Sequence, residues 1–195
     1  PSSVRSASAR EPRLEVLAVK LVDGSSSIDG ALLVRREDSA IEVEDLVGRT
    51  VCWTDELSST GHGLARAYLR DRGLDPEIDF AAHWSGSPEQ VLRDLLDGTC
   101  DLGATHRLDA ENADLRILAI TGTSPNDLVV AGPAADPELT RELREALLIF
   151  DPTRHLGVPR VGQTERITGF AVPPAEFVHP TPSVRDLWLE RQDVP

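Results

Sequence analysis

The stretch Thr50-Val51-Cys52-Trp53-Thr54-Asp55-Glu56-Leu57-Ser58-Ser59-Thr60-Gly61 decides how the chain reads. Its first four residues are apolar or β-branched and predict a short buried strand. A polar loop follows, then three hydroxyl residues and a glycine that open a helix over Ser58–Gly73. Leu64, Ala65, Tyr68 and Leu69 share one face of that helix, and Gly73 stops it. The same alternation continues outward. Ile78–Trp84 reads as a strand. Ser87–Gly98 reads as a helix, with Ser87 as N-cap, Pro88 at N1, Gln90 completing a capping box and Gly98 ending it. Val91, Leu92, Leu95 and Leu96 form its buried stripe, and Asp101–His106 and Leu115–Ile120 read as further strands. Strand and helix in alternation imply crossover connections, hence an α/β fold with a mostly parallel sheet and helices on both faces. Ligands in such sheets bind beyond the carboxyl ends of the strands, which puts the loop Thr54–Thr60 at a binding edge.

On the N-terminal side, Leu14–Val22 and Ala31–Arg35 read as strands, and Asp38–Gly48 as a short helical turn closed by Gly48. On the C-terminal side, Asp127–Ala131 reads as a strand. Asp136–Phe150 reads as a helix capped by Asp136, with Leu139, Leu143, Ala146, Leu147 and Phe150 along one side. Residues 151–182 are rich in Pro and Gly and read as irregular, and Ser183–Gln192 reads as a terminal helix.

The 195 residues carry 33 acidic and 20 basic side chains, a net charge of −13. That field opposes nucleic acid and anionic membrane surfaces. It leaves open a small anion held by short-range backbone donors. No apolar run reaches the ~18 residues of a membrane span. The two cysteines, Cys52 and Cys100, make neither a disulfide framework nor a zinc site in sequence, and both are expected as buried thiols. The five histidines (His62, His83, His106, His155 and His179) show no ligand-spaced pair, so neither a metal nor a cofactor is expected. A P-loop is absent, and Lys20 is the only lysine.

Ser58-Ser59-Thr60-Gly61 has the makings of an anion cradle. The first N–H groups of a helix lack intrahelical partners, and the macrodipole adds positive character there. Hydroxyls donate to oxyanion oxygens without adding charge, and a glycine permits close approach. A single Ser or Thr would need no more explanation than N-capping; three together point to a ligand. Catalysis by Ser59 or Thr60 with His62 as base is not expected, because there is no nucleophile elbow and the spacing on one helix start does not align hydroxyl with imidazole.

These residues resemble the phosphate/phosphite/phosphonate substrate-binding proteins of ABC transporters, which have a periplasmic-binding-protein type II fold. Asp38-Ser39 followed by Val43–Val51 is similar to the start of that family's second lobe. Asp55–Arg66 resembles its serine-rich signature, with Ser58, Ser59, Thr60 and Gly61 on the central hydroxyls and glycine. Gly73-Leu74-Asp75-Pro76, Gly86-Ser87, Asp101-Leu102-Gly103-Ala104 and Ser124-Pro125-Asn126-Asp127 match further family stretches in order. The resemblance implies a two-lobed clamp on a small tetrahedral oxyanion. Ser58, Ser59 and Thr60 would hold its oxygens, Thr105 would line the same cleft, and Asp127 would accept from a protonated ligand oxygen or amine. An aromatic usually follows the family's glycine; here it is His62, which would compensate as a charge-assisted donor if protonated and is otherwise a partly exposed helix histidine. Ile28 and Pro88 likewise replace a family Tyr and His.

By the same resemblance, residues 1–40 are a remnant of lobe 1, 41–122 a complete lobe 2, and 123–195 the return segment to lobe 1. The first lobe is expected to be truncated at its N-terminal end. The function implied is capture of phosphate, phosphite or phosphonate without chemistry, for an ABC permease in the periplasm or cell envelope. The alternatives are a ligand-sensing or partner-binding module fused to a signalling protein such as a kinase, with cytoplasmic placement then open, and a degenerate domain that binds nothing.

Overall fold

The computed structural model describes residues 14–107, 113–155, 160–161 and 165–174. The expected terminal helix Ser183–Gln192 lies outside them. Contacts divide the described residues into two compact units, one built on Ser27–Ser124 and the other on the described residues up to Ser26 together with those from Pro125 to Val161 and from Glu165 on. The strand expected at Ala31–Arg35, which the sequence grouped with residues 1–40, belongs to the first unit.

The Ser27–Ser124 unit holds a five-stranded sheet in the order β4-β3-β5-β2-β6. Its strands are β2 (Ser27–Arg35), β3 (Thr50–Trp53), β4 (Ala81–Trp84), β5 (Leu102–His106) and β6 (Leu115–Pro125). Parallel pairing is confined to β4-β3-β5. β2 runs antiparallel to β5, with Ala31 opposite Thr105 and Leu33 opposite Gly103. The sheet is therefore mixed rather than mostly parallel, since β2 joins it from the opposite direction.

Two helices cover this sheet. α1 (Leu64–Asp71) presses Ala65 and Leu69 onto Leu32, Val34, Val51, Trp53, Leu102 and Ala104. α2 (Pro88–Leu96) presses Val91 and Leu95 onto Ala31, Leu33, Cys52 and Leu115. Alternate residues of β2 thus serve opposite cores, which is why Ala31–Val34 is an unbroken apolar run. Leu96, expected in the α2 stripe, is exposed. A 3₁₀ turn at Val43–Leu46 precedes β3, and Gly48 follows it at φ +83°, as the helical-turn reading required.

In the other unit the sheet is β7-β1-β9-β8, formed by β1 (Glu15–Val22), β7 (Leu128–Ala131), β8 (Arg160–Val161) and β9 (Glu165–Ala171). Every pairing in it is antiparallel. The short helix α4 (Pro152–His155), β8 and β9 fall where the sequence looked irregular; Gly169 and the flanking Pro and Gly residues hid the strand alternation. α3 (Pro137–Ile149) packs on β1 and β9, and Asp136 caps it by accepting from the Glu138 and Leu139 amides at 3.0 Å each. Its inner face is rotated from the expected one. Thr140, Arg144, Leu147 and Leu148 turn inward while Leu139, Leu143 and Ala146 are exposed. Arg144 anchors that rotation through the Val16 carbonyl and the Glu15 carboxylate.

The cysteine expectation needs correction. Both cysteines are buried, but they are joined as a Cys52–Cys100 disulfide rather than standing as thiols. Cys52 lies opposite Gly103 in the β3–β5 ladder, and Cys100 sits just before β5, so the strand pairing brings two sequence-distant sulfurs together. Arg35 fixes the same corner, donating to the Leu95 carbonyl at 2.9 Å and the Cys100 carbonyl at 2.7 Å and pairing with Asp101.

Candidate functional site

The hydroxyl-rich segment lies at the carboxyl end of β3, where the parallel-strand argument placed it. Asp55 starts the descent by accepting from the Leu57 amide at 2.8 Å. Ser58 is the N-cap. Its hydroxyl oxygen accepts from the Gly61 amide at 3.0 Å, and its carbonyl accepts from the Gly63 amide at 3.0 Å. The hydroxyl proton is not used in that cap and can be donated outward. The helix begins as a π-turn over Ser59–Gly63 before continuing as α1. This wide first turn is a departure from the regular helix expected over Ser58–Gly73. Single π-turns within helices are frequent at functional sites.

Gly61 is required by packing. A Cβ there would lie 2.6 Å from Thr54 Cβ and closer still to Thr54 Oγ1. Thr54 cannot retreat: its amide donates to the Gly61 carbonyl at 3.2 Å and its hydroxyl to the Ala104 carbonyl at 3.2 Å. Gly30 of β2 plays a similar part on the other side. A Cβ on it would sit 2.5 Å from Thr121 Oγ1 and 3.5 Å from Thr60 Cα. Thr121 Oγ1 is buried without a hydrogen-bond partner, and Gly30 is the residue that both it and the Thr60 backbone approach. Nothing in the sequence signalled Thr121, because the β2–β6 adjacency that brings it there is tertiary.

His62 departs from its expected role as a protonated donor. Arg66 Nη1 donates to His62 Nε2 at 3.0 Å, so Nδ1 bears the proton and donates to the Glu56 carbonyl at 3.1 Å. The ring is buried edge-on between Trp53 and Trp84, with centroids 5.5 Å and 5.0 Å away. Burial, reinforced by the Arg66 charge, holds its pKa below the ordinary value of 6.5 against the opposing Glu56 hydrogen bond. His62 is therefore a neutral link between the turn and α1, and Arg66 goes on to pair with Glu77.

A pH test follows. The unfolded chain protonates His62 near 6.5, while the folded chain resists protonation to lower pH. The stabilisation from neutral His62 is complete above 6.5 and is lost as pH falls from there through the folded pKa, by at most about 1.4 kcal/mol per pH unit. Urea midpoints from about pH 8 to about pH 5 should show this slope in the wild type and lose it in His62→Gln. Equal slopes would refute the assignment.

Thr105 and Asp127 stand in different units of the fold. Thr105 lies within β5, fully buried. Leu102 and Ala104 face α1, and a Cβ on Gly103 would meet Val91 and Leu95 of α2. Strand alternation therefore puts the Thr105 side chain on the same face as Gly103, while β5 as a whole packs against the Ser59–Gly63 turn. Asp127 belongs to the other unit, exposed, with its Oδ2 ion-paired to Lys20 at 2.7 Å.

Comparison with known proteins supplies the family. The model of the periplasmic substrate-binding proteins of phosphonate ABC transporters matches residues 1–173. The chain belongs to that family. Its fold is shared by PhnD1 from Prochlorococcus marinus, solved with methylphosphonate, at a TM-score of 0.74 and 16% identity over 99% of this chain and 76% of that one. A binding-protein component of an ABC phosphonate transporter from Pseudomonas aeruginosa aligns at a TM-score of 0.69 and 15% identity, over 92% of this chain and 63% of that one. The tetrathionate sensor histidine kinase TtrS of Salmonella typhimurium is 36% identical over 72 residues, which span 36% of this chain but 12% of the kinase. Among the described residues no helix is long and apolar enough to cross a membrane.

Proposed function

We propose that this family member captures a small phosphorus oxyanion (phosphate, phosphite or a phosphonate) for an ABC-type uptake system of the cell envelope, and performs no chemistry on it. The observation that supports this best is the Ser58-Ser59-Thr60-Gly61 helix start, at the carboxyl end of a parallel strand in a chain of this family. The Ser58 hydroxyl proton, the first-turn amides and the helix dipole all favour negative charge there. Recognition by neutral donors suits this protein. His62 is uncharged, and the Arg66 guanidinium beside it is already engaged by His62 and Glu77. Asp127 keeps its implied role as acceptor from a protonated ligand oxygen or amine through Oδ1, since Lys20 holds Oδ2. The lobe assignment 1–40, 41–122 and 123–195 is carried here with the first boundary moved to Ser26/Ser27 and the second to Ser124/Pro125.

Titration calorimetry with methylphosphonate, phosphite and phosphate tests the proposal. Replacing Ser58, Ser59 and Thr60 together by Ala should weaken binding by at least about tenfold, or about 1.4 kcal/mol. Unchanged affinity in a folded triple variant would remove the cradle from consideration. The kinase similarity favours a second reading, a ligand-sensing module of a signalling protein. The ends of tetrathionate are themselves tetrahedral SO₃ groups, which the same cradle would accept. Tighter binding of tetrathionate than of methylphosphonate would favour that reading.

A further inference from the structure

Away from the hydroxyl turn, three elements converge on a second cluster. Cys52 of β3, His83 of β4 and Asp94 of α2 each offer one ligand atom, and these atoms lie within 4.8 Å of one another. The β3–β4 register sets His83 directly opposite Cys52. Asp94 is a buried carboxylate, 5% exposed, held in a fixed orientation. Ser85 Oγ donates to its Oδ2 at 2.7 Å, Gln90 Nε2 to its Oδ1 at 2.5 Å, and His83 Nε2 lies 3.2 Å from Oδ2. The Gln90 side chain is thereby taken from the expected capping box, of which only the Ser87 half, accepting from the Gln90 amide, is present. The Ser85 hydrogen bond, with those from Gln90 and His83, keeps Asp94 ionised below the usual carboxylate range despite its burial. The His83 side chain is 41% exposed, so the cluster has a way in from solvent.

Carboxylate, imidazole and sulfur together form a donor set suited to a borderline-soft divalent cation. One thing blocks it: Cys52 Sγ is bonded to Cys100 and has no anionic lone pair to give. We propose that reduction of Cys52–Cys100 opens a binding site for a zinc-class divalent cation, ligated by the Cys52 thiolate, His83 and Asp94, with a fourth position for the freed Cys100 or water. With a phosphine reductant, the phosphine supplies two electrons and becomes its oxide with oxygen from water. The two protons of that water go to the two sulfurs. The metal then displaces the proton from Cys52. Ligand atoms in a zinc tetrahedron stand about 3.5 Å apart, so the present spacing needs only a small contraction. The histidine spacing in the sequence missed this site because each ligand comes from a different element.

Cobalt(II) is the probe. Cys100→Ser frees Cys52 without any reductant and should bind cobalt with a thiolate-to-metal charge-transfer band and tetrahedral visible bands, displaced by zinc. The oxidised wild type should show neither band, and Cys52→Ser, left with Cys100 in place of Cys52, should bind cobalt at least about tenfold more weakly than Cys100→Ser. Both single variants lose the cross-link equally, so their difference isolates the Cys52 ligand. In the Cys100→Ser background, His83→Ala should weaken cobalt binding by about tenfold or more. If Cys100→Ser is unfolded, the full wild-type chain is reduced by phosphine in the cold and its thermal midpoint followed with zinc. The midpoint should rise with zinc only after reduction. Equal cobalt binding by the two cysteine variants, absence of the bands in a folded Cys100→Ser, or a reduced wild type indifferent to zinc would each overturn the proposal.

Discussion

Breaking the Cys52–Cys100 cross-link should cost the protein about 4 kcal/mol, a large share of the 5–15 kcal/mol typical of a folded domain. The two cysteines are 48 residues apart, and both lie in the Ser27–Ser124 unit. In the chain-entropy account, a tie of that length removes conformations chiefly from the unfolded ensemble. The folded state loses less, because the same corner is held by Arg35 on the Leu95 and Cys100 carbonyls and by the buried stripe of α2. Cys52→Ala/Cys100→Ala should therefore keep its secondary structure and unfold at a lower midpoint, by roughly 8–16 °C for a chain of this size. If the two units melt separately, only the transition of the Ser27–Ser124 unit should move. Circular dichroism during heating reads both. An unchanged midpoint in the double variant would show that the cross-link contributes nothing.

The cross-link also marks where sequence reading stopped. Strand Thr50–Trp53 and the Ser87–Pro88 helix start were legible because their signals are local: β-branched apolar residues in one, a serine cap with proline at N1 in the other. Gly48, Gly73 and Gly98 all adopt φ near +80°, as chain punctuation by glycine requires. What depends on adjacency was not legible. The sulfur pairing needed the β3–β5 ladder, Thr121 needed its place beside Gly30, and the Cys52, His83 and Asp94 cluster needed three elements at once. The antiparallel pairing of β2 was not legible either, because a strand carries no mark of its neighbour's direction. The site shows the same division. Its hydroxyl triplet was visible, whereas the neutrality of His62 follows from Arg66, Glu56 and the two tryptophans around it.

Gly61→Ala should be among the most damaging single substitutions in the hydroxyl turn. Overpacking a well-filled interior commonly costs about 1–3 kcal/mol, and this position belongs at or beyond the upper end. The new methyl would meet Thr54 Cβ at 2.6 Å and press on its hydroxyl. Thr54 is 3% exposed and doubly hydrogen-bonded, so neither side chain nor strand end has room to yield. The turn itself must move, and with it the amide that Ser58 caps and the Ser59–Gly63 π-turn. Stability and anion affinity should fall together, whereas the hydroxyl-to-Ala triple variant should lose affinity with a stability cost of only about 1 kcal/mol, that of the Ser58 cap. A double-mutant cycle separates the clash from any intrinsic preference for glycine. Thr54→Gly removes the atoms in the way, so Gly61→Ala should cost far less in that background, with a coupling of about 1–3 kcal/mol from urea midpoints. Strict additivity would mean that the glycine is not there to admit Thr54, and that the close approach of β3 and the turn does not fix the hydroxyls.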